Sequence, residues 1–144
     1  MRAHCPAILS ALHELTQAMW HKGVLEADLR ELVRLQVASL NHCLSCLALR
    51  YVPGKNAGLS EEKIRHLPEF ESGPFTEREK WALRFACAMV GKAIDDELFG
   101  ELRRQFTEAE LVDLGLWVGL QHGLGLFNLA FAAEPEPFGT EISV

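Results

Sequence analysis

The segment NHCLSCLALR, residues 41–50, places two cysteines three positions apart in an otherwise apolar run. If a helix begins at Asn41, a favoured N-cap residue, Cys43 lies in its first turn and Cys46 follows on the same face. A helix N-terminus stabilises a thiolate, and a second thiol at this distance can capture the oxidised first one as a disulfide. Two inert core cysteines would show the same spacing, so on spacing alone the two interpretations are nearly even.

A metal site is the third interpretation of this cysteine pair. Structural zinc needs four ligands, and the sequence contains no second CxxC and no HxxxH pair to complete the set. His42 adjoins Cys43, but neighbouring residues on a helix point apart. We therefore expect no metal, and without a GxGxxG fingerprint or a P-loop we expect no nucleotide cofactor.

Composition and charge narrow the class of protein. The 144 residues carry a formal net charge of -6, which argues against a nucleic-acid surface, and no basic run favours an anionic membrane. The N-terminal stretch does not resemble a signal peptide, because His13 and Glu14 interrupt its apolar part. We expect a cytoplasmic protein, in which cysteines are more often catalytic, metal-binding or inert than structural disulfides.

Helical periodicity runs through most of the chain, and proline and glycine separate the helical segments. The pattern predicts an all-α fold of six or seven helices in a single domain over residues 1–133, with a poorly ordered tail over 134–144. The helices are expected over about 6–20, 25–40, 43–50, 60–67, 76–90, 95–106 and 107–133, with a loop at Pro53, Gly54 and Gly58. Capping boxes at Thr76/Glu79 and Thr107/Glu110 mark two of the helix starts.

The last predicted helix is the most apolar segment of the chain. Gly115, Gly119 and Gly123 recur every four residues, so they form one smooth face that another helix can approach closely. Gln121, His122 and Asn128 interrupt the apolar run, which argues against a membrane span. We interpret it as a buried or oligomer-interface helix.

Other residues capable of chemistry have simpler explanations. Cys5 lies near a terminus, and Cys87 lies in an apolar helix where a core role is more common. His122 is interpreted as a core or interface histidine. Trp81 and Trp117 are expected in the core, and Trp20 at a helix end.

Glu31 lies twelve residues before Cys43, in the pattern E-x11-C-x2-C. On its own it would be interpreted as a solvated residue among other charges. However, the run ELVRLQVASLNHCLSCLALR, followed by Gly58-Leu59-Ser60 and FTEREKWALRFACAMV, resembles the AhpD-like branch of the carboxymuconolactone decarboxylase family. The resemblance covers about residues 25–130, and only the Glu/CxxC segment is motif-like.

The resemblance implies an all-helical protein that assembles into trimers or hexamers and reduces a hydroperoxide at the expense of an external dithiol. It implies that Cys46 attacks the peroxide, that Cys43 resolves the product and exchanges with the external dithiol, and that Glu31 supplies a relay carboxylate. The decarboxylase branch lacks this cysteine pair, so lyase activity on a small carboxylic acid is a second alternative.

The sequence departs from the family pattern CxxCxxxH, because Arg50 stands at the histidine position. Arginine cannot return a proton near neutral pH, although from one helical turn away it could stabilise a thiolate or pair with Glu31. Losing a general base costs roughly 10²–10⁴-fold in rate if nothing replaces it. His42 is a candidate substitute, with an exposed loop position as the simpler interpretation. A non-catalytic or redox-sensing oligomer that lost turnover is therefore the first alternative.

Overall fold

A computed structural model describes residues 4–144, and over this range the chain forms eight α-helices, one 3-10 helix and two short strands. The α-helices are α1 (Pro6–Lys22), α2 (Ala27–Leu40), α3 (Leu44–Ala48), α4 (Val52–Asn56), α5 (Glu61–Arg65), α6 (Glu77–Gly91), α7 (Asp96–Gln105) and α8 (Glu108–Ala130). The 3-10 helix is Leu67–Glu69, and the strands are β1 (Leu49–Tyr51) and β2 (Thr140–Ile142). The all-α prediction is confirmed.

The two helix starts that the sequence marks with capping boxes are found where they were expected. Thr76 and Thr107 each form a complete capping box with the glutamate three residues later. The side chains of Ser60 and Asp95 accept hydrogen bonds from the backbone N–H three residues on. These bonds are local, so they form from nearby residues alone.

Helix α2 is the centre of the molecule. All residues from Leu29 to Ala38 are buried, because α4, α6 and α8 pack around it. This burial includes Arg30, Glu31 and Arg34, which is unusual for charged residues unless they are paired. Arg30 pairs with Asp113 of α8 at 2.6 Å, and Arg34 pairs with Glu31 at 2.6 Å.

Two apolar clusters lie on either side of α2. One gathers around Trp117 and Leu114 of α8 and Phe85 of α6, and the other includes Leu32 of α2 and Leu83 of α6. Trp117 is fully buried, and its indole N–H donates to the Arg30 carbonyl at 2.9 Å. Trp117 and Trp20 both belong to the first cluster, and Trp81 is partly buried against it.

The region after the cysteines differs from the expectation in three ways. A short helix, α4, replaces the predicted loop around Pro53, and the predicted helix over 43–50 ends at Ala48. The tail, expected to lack order, forms β2, which pairs in parallel with β1. The pairing joins residues about ninety positions apart, so no local pattern could indicate it.

The glycine face of α8 is largely open. Gly115 faces Phe85 at van der Waals distance, but a side chain at Gly119 or Gly123 would meet nothing within 4 Å. The close approach occurs instead at Gly125, where a Cβ atom would overlap the side-chain amide of Asn41. An oligomer interface on the open face stays a prediction.

Within the described residues, none of the helices combines the length and the apolar character that a transmembrane span requires.

Candidate functional site

The turn between α2 and α3 presents the cysteine pair. The N–H of Cys43 donates to the carbonyl of Ala38, and the N–H of His42 donates to that of Ser39. This pair of bonds is a Schellman motif, whose left-handed position is occupied by His42 at φ 53°. The helix therefore ends at Asn41 rather than beginning there, which corrects the expected N-cap. His42 is exposed and terminates α2 through its backbone.

Cys43 and Cys46 form a disulfide, with their Cα atoms 5.3 Å apart. Cys43 is the N-cap of α3 and is buried, with 1% of its surface exposed, whereas Cys46 is partly exposed. The Cys43 sulfur accepts the backbone N–H of Cys46 at 3.3 Å and lies 3.4 Å from the Ser45 hydroxyl. The accessible side of the disulfide is therefore Cys46.

Glu31 is buried on α2 and is held by Arg34. The Arg34 guanidinium donates to both Glu31 carboxylate oxygens, at 2.6 and 2.7 Å. Its remaining bonds go to the backbone carbonyls of Cys46 at 2.7 Å and Leu49 at 2.8 Å. The carboxylate thus reaches the CxxC segment through an arginine, and Arg34 is the cation that accompanies Glu31.

Two neighbours complete the surroundings of Glu31. The backbone N–H of Tyr51 donates to the carboxylate at 3.0 Å, and the Arg34 guanidinium lies over the Tyr51 ring at 5.1 Å. Gly54 of α4 packs against the Glu31 stem, where a Cβ atom would come within 2.5 Å of the Glu31 Cβ. Because a larger residue at position 54 would displace Glu31, glycine is required there.

Arg50 does not take the place that the helical pattern predicted for it. It lies in β1 rather than one helical turn beyond Cys46, and its guanidinium pairs with Glu61 at 2.7 Å instead of Glu31. It also donates to the carbonyls of Leu47 and Leu49. The hydrogen bond from Arg50 holds the pKa of Glu61 below its usual value, against a smaller opposing effect of burial. Arg50 therefore links the segment at the end of α3 to Glu61 at the start of α5.

The C-terminal half of α8 packs on the start of the cysteine segment. The His122 ring nitrogen Nδ1 lies 2.6 Å from the Asn41 carbonyl oxygen Oδ1, and the Asn41 amide donates to the His122 carbonyl at 3.3 Å. Further along α8, the Asn128 amide donates to the Cys46 sulfur at 3.4 Å. Neither Arg34 nor Asn128 was among the predicted site residues. The i, i+3 spacing of Glu31 and Arg34 was a usable signal for the first, but none pointed to the second.

A cleft of about 460 Å³ opens beside this assembly. Its lining includes Glu31, Arg50 and Tyr51, together with Phe138 and Glu141 of the tail. Strand β2 therefore shapes a cavity next to the predicted site residues.

The other two cysteines are free thiols. Cys5 is exposed, and Cys87 is partly exposed with its sulfur accepting a hydrogen bond from Gln36 at 3.3 Å. Among residues 4–144, no cluster of three or more His, Cys, Asp or Glu side chains is arranged to bind a metal ion.

Curated relatives match the chain over part of its length. Uncharacterized protein YdfG of Bacillus subtilis is 29% identical over 91 residues, which are 60% of this chain and 62% of the relative. Uncharacterized protein Rv2313c of Mycobacterium tuberculosis is 35% identical over 89 residues, which are 58% of this chain and 31% of the relative. The match spans less than two thirds of the length of either relative.

Solved structures share the fold across nearly the whole chain. A putative antioxidant defence protein AhpD from Agrobacterium tumefaciens superposes with a TM-score of 0.81 at 21% identity, covering 94% of both chains. The debrominase Bmp8 superposes with a TM-score of 0.80 at 20% identity, covering 93% of this chain and 74% of its own. A peroxidase-related protein from Ralstonia eutropha with an AhpD core gives 0.78 at 19% identity, covering 94% of this chain and 74% of its own.

These likenesses establish an AhpD-like fold, and sequence comparison identifies the family. Residues 6–88, more than half of the chain, match one family along the stretch that contains Glu31, both paired cysteines and Arg50. The chain is a member of the carboxymuconolactone decarboxylase family.

Proposed function

We propose that this protein is a thiol-dependent oxidoreductase of the AhpD-like type, which reduces a hydroperoxide and is regenerated by an external dithiol. The observation that carries the proposal is the Cys43–Cys46 disulfide, whose Cys46 side is accessible and whose backbone is bound by the buried Glu31–Arg34 pair. A disulfide within one helical turn matches what a two-cysteine peroxidase needs to close its catalytic cycle.

In the first half of the cycle, the Cys46 thiolate attacks the outer oxygen of the hydroperoxide. The O–O bond breaks, Cys46 becomes a sulfenic acid, and the alkoxide leaves and takes a proton from water to form the alcohol. The Cys43 sulfur then attacks the Cys46 sulfur and displaces hydroxide. This hydroxide takes the Cys43 proton and leaves as water, so two electrons pass from the thiols to the peroxide.

The second half returns the disulfide to two thiols. A thiolate of the external dithiol attacks one sulfur, and its second thiol resolves the mixed disulfide, leaving the external molecule oxidised. The resemblance implied that Cys43 meets the external dithiol. The burial of Cys43 supports attack of the external thiolate on Cys46 instead. Cys43 then leaves as a thiolate that accepts a hydrogen bond from the Cys46 N–H.

In this proposal, Glu31 is a positioning residue rather than a proton relay. Its carboxylate is bound by Arg34 and by the Tyr51 N–H, and the arginine that connects it to Cys46 cannot release its proton near neutral pH. Glu31 orients Arg34, and Arg34 fixes the carbonyls of Cys46 and Leu49.

The test is hydroperoxide-dependent oxidation of dithiothreitol, with hydrogen peroxide and an alkyl hydroperoxide as substrates. Cys46→Ser should reduce the rate to that of the uncatalysed reaction. Cys43→Ser should allow one round of oxidation, with a sulfenic acid trapped at Cys46. The matched control is Cys87→Ser, which removes a thiol outside the pair and should retain the wild-type rate. Full activity in Cys46→Ser would refute the mechanism.

One observation favours a second candidate, a redox-responsive protein without turnover. The carboxylate that could have moved protons is occupied by Arg34, and Arg50 is engaged with Glu61. In that case the cysteines would cycle between dithiol and disulfide with dithiothreitol, but no hydroperoxide would accelerate the oxidation. Activity on a small carboxylic acid that survives in a Cys43→Ser/Cys46→Ser variant would point instead to a lyase.

A further inference from the structure

The two sulfurs of the pair receive hydrogen bonds from different parts of the fold. The Cys43 sulfur accepts its bond from the adjoining turn of α3, through the Cys46 N–H. The Cys46 sulfur accepts a bond from the side-chain amide of Asn128, which lies 82 positions later in α8. The accessible sulfur is therefore contacted by a helix that is remote from the cysteines in the sequence.

Helix α8 is held firmly enough against the cysteine segment to place this amide. Asn41 and His122 exchange two contacts, one between side chains and one from the Asn41 amide to the His122 carbonyl. Gly125 removes the side chain that would otherwise collide with Asn41. His122, Gly125 and Asn128 follow one another at three-residue intervals, so neighbouring members of this series share a helix face.

An amide donor near a cysteine sulfur favours the thiolate over the neutral thiol. A thiolate is a much stronger acceptor than a disulfide sulfur or a neutral thiol, because it carries a full negative charge. A hydrogen bond to the charged form of a group stabilises that form. The same amide that contacts the disulfide would therefore bind more strongly once the pair is reduced and Cys46 loses its proton to solvent.

We propose that Asn128 is a catalytic residue of the redox site, the hydrogen-bond donor from α8 that stabilises the Cys46 thiolate. The inference deepens the proposed function and rests on it for its role in turnover. Asn128 makes Cys46 the more readily ionised nucleophile, and it favours the reduced pair over the disulfide. It also couples the packing of α8 to the reactivity of Cys46, which lies 82 positions earlier in the chain.

The expected size follows from the energy of a hydrogen bond to a charged group. Such a bond shifts the pKa of the group by about one unit, so removing it should raise the pKa of the Cys46 thiol by about that amount. At a pH above the Cys46 pKa of both the wild type and the variant, removing the bond should move the equilibrium between the cysteine pair and dithiothreitol about tenfold toward the Cys43–Cys46 disulfide. A less acidic thiolate is more nucleophilic, so the peroxide rate at neutral pH should fall only about threefold.

The test compares Asn128→Leu, which removes both amide donors, with Asn128→Asp, which keeps the shape and adds a negative charge. The control is Leu129→Ala, a truncation at the next, exposed position of α8. Ionisation is measured from the pH dependence of iodoacetamide alkylation in a Cys43→Ser background. Trypsin leaves Cys5, Cys46 and Cys87 on separate peptides, so mass spectrometry follows Cys46 alone. The disulfide equilibrium is measured with Cys43 intact.

The pKa of Cys46 should increase from wild type to Asn128→Leu and again to Asn128→Asp, with no change in Leu129→Ala. Unchanged ionisation in both Asn128 variants would overturn the inference, as would an equal rise in the control. If Asn128→Leu fails to fold, the size-matched Asn128→Asp decides alone. These readouts need no peroxide, so an absence of peroxidase activity in the wild type would refute the proposed function while leaving the role of Asn128 to be judged by the ionisation data.

Discussion

The sharpest prediction about this fold concerns the stability lost when the buried pair of Glu31 and Arg34 is broken. Only 2% and 3% of the two side chains are exposed, and Arg34 makes four hydrogen bonds through three nitrogens. Arg34→Met keeps much of the apolar stem and removes all four bonds. It leaves the Glu31 carboxylate buried with the Tyr51 N–H as a remaining donor, and it deprives the carbonyls of Cys46 and Leu49 of this partner.

Breaking a buried ion pair by removing one partner costs about 3–5 kcal/mol, because the other charge stays uncompensated. We therefore expect Arg34→Met to lower the free energy of unfolding by about 4 kcal/mol. At 2–4 °C per kcal/mol, the melting temperature should fall by roughly 10–15 °C. The measurement is urea unfolding at fixed protein concentration, with the disulfide formed in every sample.

Two further variants isolate the cause. Glu31→Leu combined with Arg34→Met replaces the pair by apolar residues. Its loss in the free energy of unfolding should be about 2 kcal/mol smaller than the sum of the losses in the two single variants. Arg104→Met removes an exposed arginine that pairs with Glu101, and it should cost less than about 1 kcal/mol. A loss in Arg34→Met no larger than that in Arg104→Met, or strict additivity in the double variant, would refute the reasoning.

Two other predictions concern Asp113 and Arg50. Burial disfavours the charged form of Asp113, but hydrogen bonds from Arg30 and from the N–H groups of Leu25 and Val24 outweigh it and hold its pKa below the usual 3.8. A depressed pKa in the folded state adds stability that is present above the unfolded pKa and is lost as the pH falls through the folded one. Asp113→Asn should therefore lower the free energy of unfolding by about 3 kcal/mol at pH 7. Urea unfolding should show the difference from the wild type shrinking below about pH 4. A difference independent of pH would contradict this prediction. Arg50→His introduces the histidine that the CxxCxxxH pattern implies, but it loses the bonds to the Leu47 and Leu49 carbonyls. The peroxide-dependent rate should therefore fall rather than rise. A faster variant would show that position 50 can serve as a proton relay.

Local signals in the sequence indicated most of the long helices and the cysteine pair. Capping boxes at Thr76 and Thr107 involve residues three positions apart, so they could be recognised without the rest of the chain. The CxxC spacing and the preceding glutamate identified the family that the comparisons show. Which carbonyl or carboxylate each arginine would bind was not determined locally, because a long side chain can reach partners from several elements.

Tertiary structure alone decided the environment of the pair. Packing around α2 buried the Glu31–Arg34 pair and brought Arg34 to the carbonyls of Cys46 and Leu49. The ladder between β1 and β2 directed Arg50 away from the predicted helix. The contact between Asn128 and the Cys46 sulfur depends on how closely α8 approaches α2 at Gly125. A sequence pattern records which residues are neighbours along one element, but the donors and charges that tune a sulfur come from whichever elements the packed core brings beside it.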